Sequence, residues 1–225
     1  MKIIFLVLCF LNFSAFAGET ASLLNGKLFV PQGFDSNDPA EVIIYGVLPD
    51  LCHRNPTYEV SRQGSVFTIY LYAYFVPLDT CRKISVPYME KVTLGVLPEG
   101  SYQVRLMDFR TPISIENIKV EKAPRSLQDN FNYGNVMAIR PLANRRQIEL
   151  LGTNPVDCLK FEKIETRIQE KVIVLLPQFK EIGRCKEVPT TFRIVYDLPP
   201  VNGHHETLIH VRVMDGRSYN YIYKN

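Results

Sequence analysis

The segment from His204 to His210, with the sequence HHETLIH, is the densest group of potential metal ligands in the chain. Alternate side chains of a β-strand share one face, so His204, Glu206 and His210 would point the same way. Alternate positions are about 7 Å apart, which lets only one or two of these side chains reach one ion. No neighbouring motif supplies the missing ligands. We therefore predict no metal site, and interpret the segment as a polar, exposed strand after a tight turn at Asn202-Gly203.

Four cysteines follow the N-terminal region, and their types and spacing favour disulfide chemistry. Cys52 and Cys81 are 29 positions apart, Cys158 and Cys185 are 27 apart, and 77 positions separate the two pairs. An even number of cysteines in an exported chain favours disulfides, for which four cysteines allow three pairings. Zinc is the alternative, but the chain has no Cys-x2-Cys pair. The near-equal spacings favour Cys52–Cys81 and Cys158–Cys185.

Signals for catalysis and for cofactors are weak throughout the chain. No Gly-x-Ser-x-Gly nucleophile motif occurs, and we expect no cysteine to be free for nucleophilic attack. Without residues 1–17 the chain has 25 basic and 23 acidic side chains, a net charge of +2. This balance argues against nucleic-acid binding. We predict a protein that is not an enzyme, with no catalytic residue, cofactor or resident metal.

The first seventeen residues predict a cleavable signal peptide. Lys2 supplies a positive charge, Ile3 to Leu11 is an almost purely apolar run, and Ala15-Phe16-Ala17 is a small-x-small cleavage signal. The alternative is a retained membrane anchor, but nine apolar residues fall short of the roughly 20 that span a bilayer. No later apolar stretch reaches spanning length. We predict cleavage after Ala17 and a periplasmic or secreted location.

The sequence after each first cysteine predicts an internal repeat. CHRNPTYEVSRQ corresponds to CLKFEKIETRIQ, and each is followed by an apolar segment that ends in a predicted proline turn, VFTIYLYAYFVP and KVIVLLP. Both halves also contain Arg-x-Met-Asp, at 105–108 and 212–215. We predict a duplication, with domain 1 at 18–125 and domain 2 at 126–225.

Strand signals are dense and helix signals are few. Segments rich in β-branched and aromatic residues, separated by turn residues, predict twelve strands. These are Glu41–Leu48, Tyr58–Arg62, Val66–Phe75, Lys91–Leu97, Tyr102–Met107, Asn135–Ile139, Gln147–Leu151, Phe161–Ile168, Lys171–Leu176, Phe192–Tyr196, Thr207–Met214 and Ser218–Tyr223. About seven short strands per 100 residues predict an all-β fold with two tandem immunoglobulin-like β-sandwich domains, each with one disulfide.

In these features the chain resembles bacterial exported proteins with tandem immunoglobulin-like domains, over most of its predicted mature length. The resemblance implies architecture, and a shared fold does not fix function. One departure is that the chain has no tryptophan to pack on an inter-sheet disulfide. Its cysteines also lie outside the apolar strand centres, so we expect each disulfide to join strand ends.

Two groups of alternating tyrosines are the best candidates for a binding surface. In Val66–Phe75, one alternation predicts a core face of Phe67, Ile69, Leu71, Ala73 and Phe75. The other places Tyr70, Tyr72 and Tyr74 on the opposite face, and Tyr219, Tyr221 and Tyr223 repeat the pattern on a predicted edge strand. Tyrosine rings suit contacts with proteins or glycans. The alternative is aromatic pairing across strands, or cover from the neighbouring domain.

We therefore expect a noncatalytic exported binding or structural module that presents β-sheet surfaces to a protein or polysaccharide. One alternative is a periplasmic chaperone with two immunoglobulin-like domains, which fits the length and the domain count. The other is a hydrolase. The final strand could also add to the sheet edge of a partner.

Overall fold

The computed structural model describes residues 20–76, 80–123, 132–143, 146–200 and 205–224. The described chain is almost entirely β-structure and forms two β-sandwiches in tandem, each with one disulfide, so the predicted fold class is confirmed. The predicted signal peptide and the predicted boundary between 125 and 126 lie outside the described residues.

In the described part of the chain, nine strands form the first sandwich. They are β1 (Thr20–Leu23), β2 (Gly26–Phe29), β3 (Phe34–Asp35), β4 (Pro39–Leu48), β5 (His53–Gln63), β6 (Val66–Phe75), β7 (Val86–Val96), β8 (Gly100–Asp108) and β9 (Thr111–Glu121). The larger sheet has the order β1-β6-β8-β9-β3, with β5 also paired to β6, and the smaller sheet is β2-β4-β7. Val42, Ile69 and Val104 are among the fully buried residues of the core between them.

Eight strands of the described residues form the second sandwich. They are β10 (Asn132–Tyr133), β11 (Asn135–Pro141), β12 (Gln147–Asn154), β13 (Leu159–Gln169), β14 (Val172–Glu181), β15 (Thr190–Asp197), β16 (Glu206–Val213) and β17 (Arg217–Lys224), with a 3-10 turn at Met214–Gly216. The larger sheet has the order β10-β14-β16-β17, with β13 also paired to β14, and the smaller sheet is β11-β12-β15. Ile148, Leu175 and Ile209 lie in its core.

The two sandwiches share their strand order, apart from β3, which has no counterpart among the described residues of the second. Each larger sheet contains a corresponding parallel pair, β6 with β8 and β14 with β16, and in the first sandwich β3 adds a second parallel pair with β9. Parallel neighbours need a crossover connection, and in each sandwich that connection passes through a strand of the smaller sheet, β7 or β15. Strand segments alone did not predict this parallel pairing. The shared order is what a duplication would produce, and the duplication itself stays a hypothesis.

The disulfides Cys52–Cys81 and Cys158–Cys185 are formed as predicted, with Cα–Cα distances of 5.5 and 4.8 Å. Cys52 and Cys158 directly precede β5 and β13 in the larger sheets, whereas Cys81 and Cys185 lie in the chain that leads to β7 and β15 in the smaller sheets. Each bond therefore clasps the two layers of one sandwich at strand ends. Closing loops of this size stabilises a domain by about 3–4 kcal/mol through restriction of the unfolded chain.

Strand bounds differ from the prediction where polar residues or proline interrupt a pattern. β1, β2, β3, β9 and β10 were not predicted. The proline turn expected at the end of KVIVLLP is wrong, because β14 continues through Pro177 to Glu181. Pro177 lies between the stretch of β14 that pairs with β16, which ends at Leu175, and the stretch that pairs with β10, which begins at Gln178, so it occupies a break in the ladder.

The two Arg-x-Met-Asp segments adopt different conformations. Met107 and Asp108 are part of β8, whereas Met214 and Asp215 lie in the 3-10 turn, and Asp215 has a positive φ of 63°. The register of the parallel pairs places Arg105 opposite Thr68 and His210 opposite Val174. Superposing the two sheets by strand register therefore aligns Arg105 with His210. The shared Arg-x-Met-Asp motif would instead align Arg105 with Arg212, two residues further along.

The two sandwiches pack together through outer faces, by which we mean the faces turned away from each sandwich's own core. The outer face of the β2-β4 pair of the first sandwich contacts the outer face of β14, β16 and β17 of the second. The contact contains an apolar cluster that is separate from the two cores, and we call it the interface cluster. It consists of Phe29, Ile43, Tyr45, Tyr133, Val172, Val174, Leu176 and Leu208, with Ile222 against it. The strand β16 is thus buried on both faces, and the predicted polar, exposed strand at HHETLIH is wrong.

Candidate functional site

The candidate binding surface from the sequence lies on the outer face of the larger sheet of the first sandwich. Tyr70 and Tyr72 of β6 occupy its centre, and the register places residues of β1, β5 and β8 beside them. We call this surface the tyrosine face and define it by Leu23, Thr57, Glu59, Tyr70, Tyr72 and Met107.

The core side of β6 holds the tyrosine face in place. Phe67, Ile69, Leu71 and Ala73 are buried as predicted. Phe75, the fifth residue of that alternation, is half-buried, and its ring lies 5.2 Å from the ring of His53. Because side chains alternate along the strand, this anchorage turns every tyrosine of β6 outward.

The rings of Tyr70 and Tyr72 form a flat stack on this face. Their centroids are 6.5 Å apart and their planes differ by 24°. Both side chains are half-buried, and Tyr74, the next residue of the alternation, is 40% exposed. Stacked, amphipathic rings on a pleated sheet give a rigid contact area that loses little conformational entropy on binding.

Glu59 adds one negative charge to the tyrosine face. The pKa of Tyr72 is raised above its ordinary value, mainly by desolvation. The charge of Glu59, the electrostatic effect of Tyr70 and a hydrogen bond to Glu59 act in the same direction. The phenol of Tyr72 therefore stays neutral and can donate a hydrogen bond, while Glu59 accepts one. The arrangement suits recognition of a polar partner and provides no activated nucleophile.

The second tyrosine group has a different environment. Tyr219, Tyr221 and Tyr223 lie on the edge strand β17 as predicted, but they are half-buried against the core of the second sandwich. The alternate residues of β17 contact the first sandwich instead: Ser218 and Asn220 bond to Glu41, and Ile222 packs on the interface cluster. The structure therefore does not join the two tyrosine groups, and only that of β6 lies on an open sheet face.

A polar cluster at the contact between the sandwiches was missed by the sequence interpretation. The Arg212 guanidinium donates to Asp38 at 2.7 Å, and the side chains of both residues are less than a tenth exposed. Glu41 accepts hydrogen bonds from Ser218 and Asn220, and Lys91 lies 3.6 Å from it. The available signal was the near-continuous apolar character of β14 and β16, which is typical of strands buried on both faces.

His210 completes this cluster. Asn220 donates its amide to Glu41, so its Oδ1 accepts from His210 Nδ1, at 2.8 Å. Burial lowers the pKa of His210 to about 4, although Glu41 and the bond to Asn220 oppose the shift. Its Nε2 has no hydrogen-bond partner among the described residues. The neutral imidazole therefore serves the packing of the two sandwiches.

The potential metal ligands of HHETLIH do not converge. His210 is in the interface, Glu206 forms an ion pair with Lys27 of the first sandwich, and His204 lies outside the described residues. No group of three histidine, cysteine or acidic side chains suited to a metal is found in the described part of the chain. Also within that part, no helix is long and apolar enough to cross a membrane.

With this geometry established, comparison with known proteins gives one finding. Residues 42–115 match the family model described as the ORF11 beta-sandwich domain. The match covers about a third of the chain, from β4 into β9, and thus includes the strands that carry most of the tyrosine face. It supports the β-sandwich architecture of the first domain. No curated protein and no solved structure matches the chain.

Proposed function

We propose that this protein is a noncatalytic, exported binding module whose tyrosine face contacts a protein or a polysaccharide. The observation that carries the proposal is the stacked pair Tyr70 and Tyr72 on a sheet face that no other part of the described chain covers. Tyrosine is enriched at the energetic centres of protein interfaces and suits stacking on sugar rings.

The second sandwich supports a binding role for this face. Hairpins β5-β6 and β13-β14 have the same register, with Gln63 opposite Val66 and Gln169 opposite Val172. Tyr70 therefore corresponds to Leu176, which is buried under the first sandwich. The same sheet face already serves as a docking surface once in this chain.

Two further observations support the parts of the proposal that concern export and the lack of catalysis: the disulfides and the pairing of the buried acidic side chains. Two disulfides are typical of oxidising compartments and agree with the predicted signal peptide. The acidic side chains that are buried in the described residues have structural partners: Asp38 pairs with Arg212, Glu41 bonds to Ser218 and Asn220, and Glu149 pairs with Arg140 and Arg193. Groups paired in this way are poor candidates for general acid–base catalysis.

The test is capture on the immobilised mature protein. A surface extract of the source cells and purified surface polysaccharides are passed over the wild type and over the double variant Tyr70→Ala/Tyr72→Ala. We expect the wild type to retain a protein or a glycan and the double variant to lose at least nine tenths of it. Circular dichroism and urea unfolding establish that the double variant is folded.

Phe161→Ala is the matched control, because Phe161 is an aromatic residue 44% exposed on the edge strand β13 of the other sandwich. Its capture should equal that of the wild type. Equal capture by the folded Tyr70→Ala/Tyr72→Ala variant would refute the tyrosine face as the binding site.

A further inference from the structure

Each sandwich has two outer faces, one on its larger sheet and one on its smaller sheet. The contact between the two sandwiches covers one outer face of each. Within the chain, the larger sheet of the second sandwich covers the smaller sheet of the first. This leaves the larger sheet of the first sandwich, which is the tyrosine face, and the smaller sheet of the second. We call the second surface the arginine face and define it by Met137, Arg140, Glu149, Leu151, Arg193 and Val195.

The arginine face combines exposed apolar side chains with two cations. Met137 is 60% and Val195 is 50% exposed. Arg140 and Arg193 both pair with the carboxylate of Glu149, which is only 1% exposed. One carboxylate shared by two guanidinium groups leaves a net charge of +1 among these three residues. The face is therefore mildly basic and partly apolar.

The positions of the arginine face match those of the covered face of the first sandwich. Gly46 in β4 and Gly152 in β12 occupy the same environment: at each, an added Cβ would collide with an aromatic ring of the adjacent strand, Tyr88 or Phe192, and with a backbone carbonyl of the preceding segment. Ile43 lies three residues before Gly46, and Glu149 lies three residues before Gly152. Glu149 thus lies where the first sandwich has a residue fully buried by its neighbour.

The two sandwiches contribute different groups to the cation–π interactions of the contact within the chain. Among the described residues it contains three cation–π contacts, and in each one the second sandwich supplies the cation and the first supplies the ring. The distances to the ring centroids are 5.4 Å for Lys171 on Phe29, 4.8 Å for Arg212 on Phe34 and 5.6 Å for Lys224 on Tyr45. The two open faces follow the same rule, because the arginines belong to the second sandwich and the tyrosines to the first.

We propose that the protein associates head to tail with itself, the tyrosine face of one copy resting on the arginine face of the next. This contact would repeat between molecules the packing of larger sheet on smaller sheet that joins the two sandwiches within one. The proposal rests on the proposed function, since it takes the tyrosine face as the binding surface and names a second copy as its partner. The contact is heterologous, so it builds either closed rings or open chains, depending on the rotation between successive copies.

The experiment uses sedimentation velocity on the mature protein at increasing concentration. We expect the wild type to form dimers and longer species. Tyr70→Ala/Tyr72→Ala alters only the tyrosine face, and Met137→Glu/Val195→Glu alters only the arginine face, by placing carboxylates beside its guanidinium groups. Each variant alone should associate at least tenfold more weakly than the wild type, whereas Phe161→Ala should associate like the wild type.

The decisive sample is a mixture of the two double variants. Each retains one intact face, and the intact faces are complementary, so the mixture should form a one-to-one dimer and nothing larger. A symmetric dimer that both double variants still form, or a mixture that stays monomeric, would overturn the proposal. So would a wild type that remains monomeric up to about 1 mM, where even weak interfaces assemble. In that last case, tyrosine-dependent capture of another ligand would leave the proposed function standing.

Discussion

The smaller sheets of the two sandwiches have the same construction and opposite surroundings. On the outer face of β4, Ile43 is fully buried beneath the second sandwich. At the corresponding position of β12, Glu149 is buried and pairs with two mostly exposed arginines of its own sheet. β15 alternates strictly between buried or half-buried residues and exposed ones, which is typical of a strand with one solvated face. One construction thus supports a closed contact in one domain and an open surface in the other.

The contrast shows where the specificity of the domain pairing lies. Each sandwich core is made of aliphatic and aromatic residues, whereas the contact between the sandwiches combines an apolar cluster with the buried polar pair Asp38 and Arg212. A buried ion pair adds little net stability compared with apolar packing. It does penalise any other docking that would leave one of its charges unpaired, so it favours a single arrangement of the two domains.

The largest effect on stability is expected when Ile43 of the covered smaller sheet is replaced by glutamate, the residue found at the corresponding position of the open smaller sheet. Ile43→Glu would place a carboxylate inside the apolar cluster, where its cross-strand neighbour Lys91 is already shared with Glu41. We expect the free energy of unfolding to fall by about 4 kcal/mol in urea denaturation, since burying a poorly paired charge is costly.

The reciprocal change, Glu149→Ile, is the control for this prediction. It replaces a buried carboxylate by an apolar side chain and leaves two arginines that are mostly exposed, so we expect a change below about 1 kcal/mol. Equal losses in the two variants would contradict the contrast between the covered and the open sheet.

The covered face should also be sensitive to acid. His210 is neutral in the native protein, with a pKa of about 4, whereas an unfolded histidine titrates near 6.5. The stabilisation from the neutral form is therefore complete above pH 6.5, is lost as the pH falls from 6.5 to 4, and changes no further below. The loss should approach about 3 kcal/mol in urea denaturation across this range.

His210→Leu serves as the comparison for the pH series, because it removes the titrating group while keeping an apolar volume in the interface. The other charged groups facing His210 are Glu41, Lys91 and Arg212, and all three remain in this variant. We expect the slope of stability against pH between 6.5 and 4.5 to flatten. An unchanged slope would assign the acid sensitivity to other residues.

The smallest effects compare matched positions of the two larger sheets. Leu176→Ala removes a side chain that is 3% exposed beneath the first sandwich, and we expect a loss of about 2–3 kcal/mol in the free energy of unfolding. Tyr70→Ala, at the corresponding position of the open tyrosine face, should cost less than about 1 kcal/mol. Similar losses at the two positions would indicate that the tyrosine face is structural.

The sequence predicted most of the strands and both disulfides because these follow from local patterns. Alternation along β6 identified its core residues, since the period of a strand is two. β9 was missed, although Ile113 and Ile115 alternate with polar residues, and β14 was ended too early at Pro177. A strand tolerates a proline at a break in its ladder, and only the pairing of neighbouring strands shows that Pro177 lies between the stretches of β14 that pair with β16 and with β10.

The candidate site was predicted only in part. Tyr70, Tyr72 and Tyr74 lie on an outer face as the alternation requires, whereas Tyr219, Tyr221 and Tyr223 follow the same pattern but turn toward a core. Alternation separates two faces of a strand without saying which face is covered. The cluster of Asp38, Glu41, His210 and Arg212 joins residues more than 160 positions apart, and no local pattern indicates their contact.

The sequence by itself therefore determined the all-β fold class, the strand-rich halves and the cysteine pairs, because side-chain period, turn chemistry and cysteine spacing act over short stretches of chain. Tertiary structure alone decided which sheet faces are buried. That choice depends on how two complete sandwiches dock, which is a matter of matching whole surfaces. The tyrosine face of β6 is open and the same face of β14 is closed for this reason.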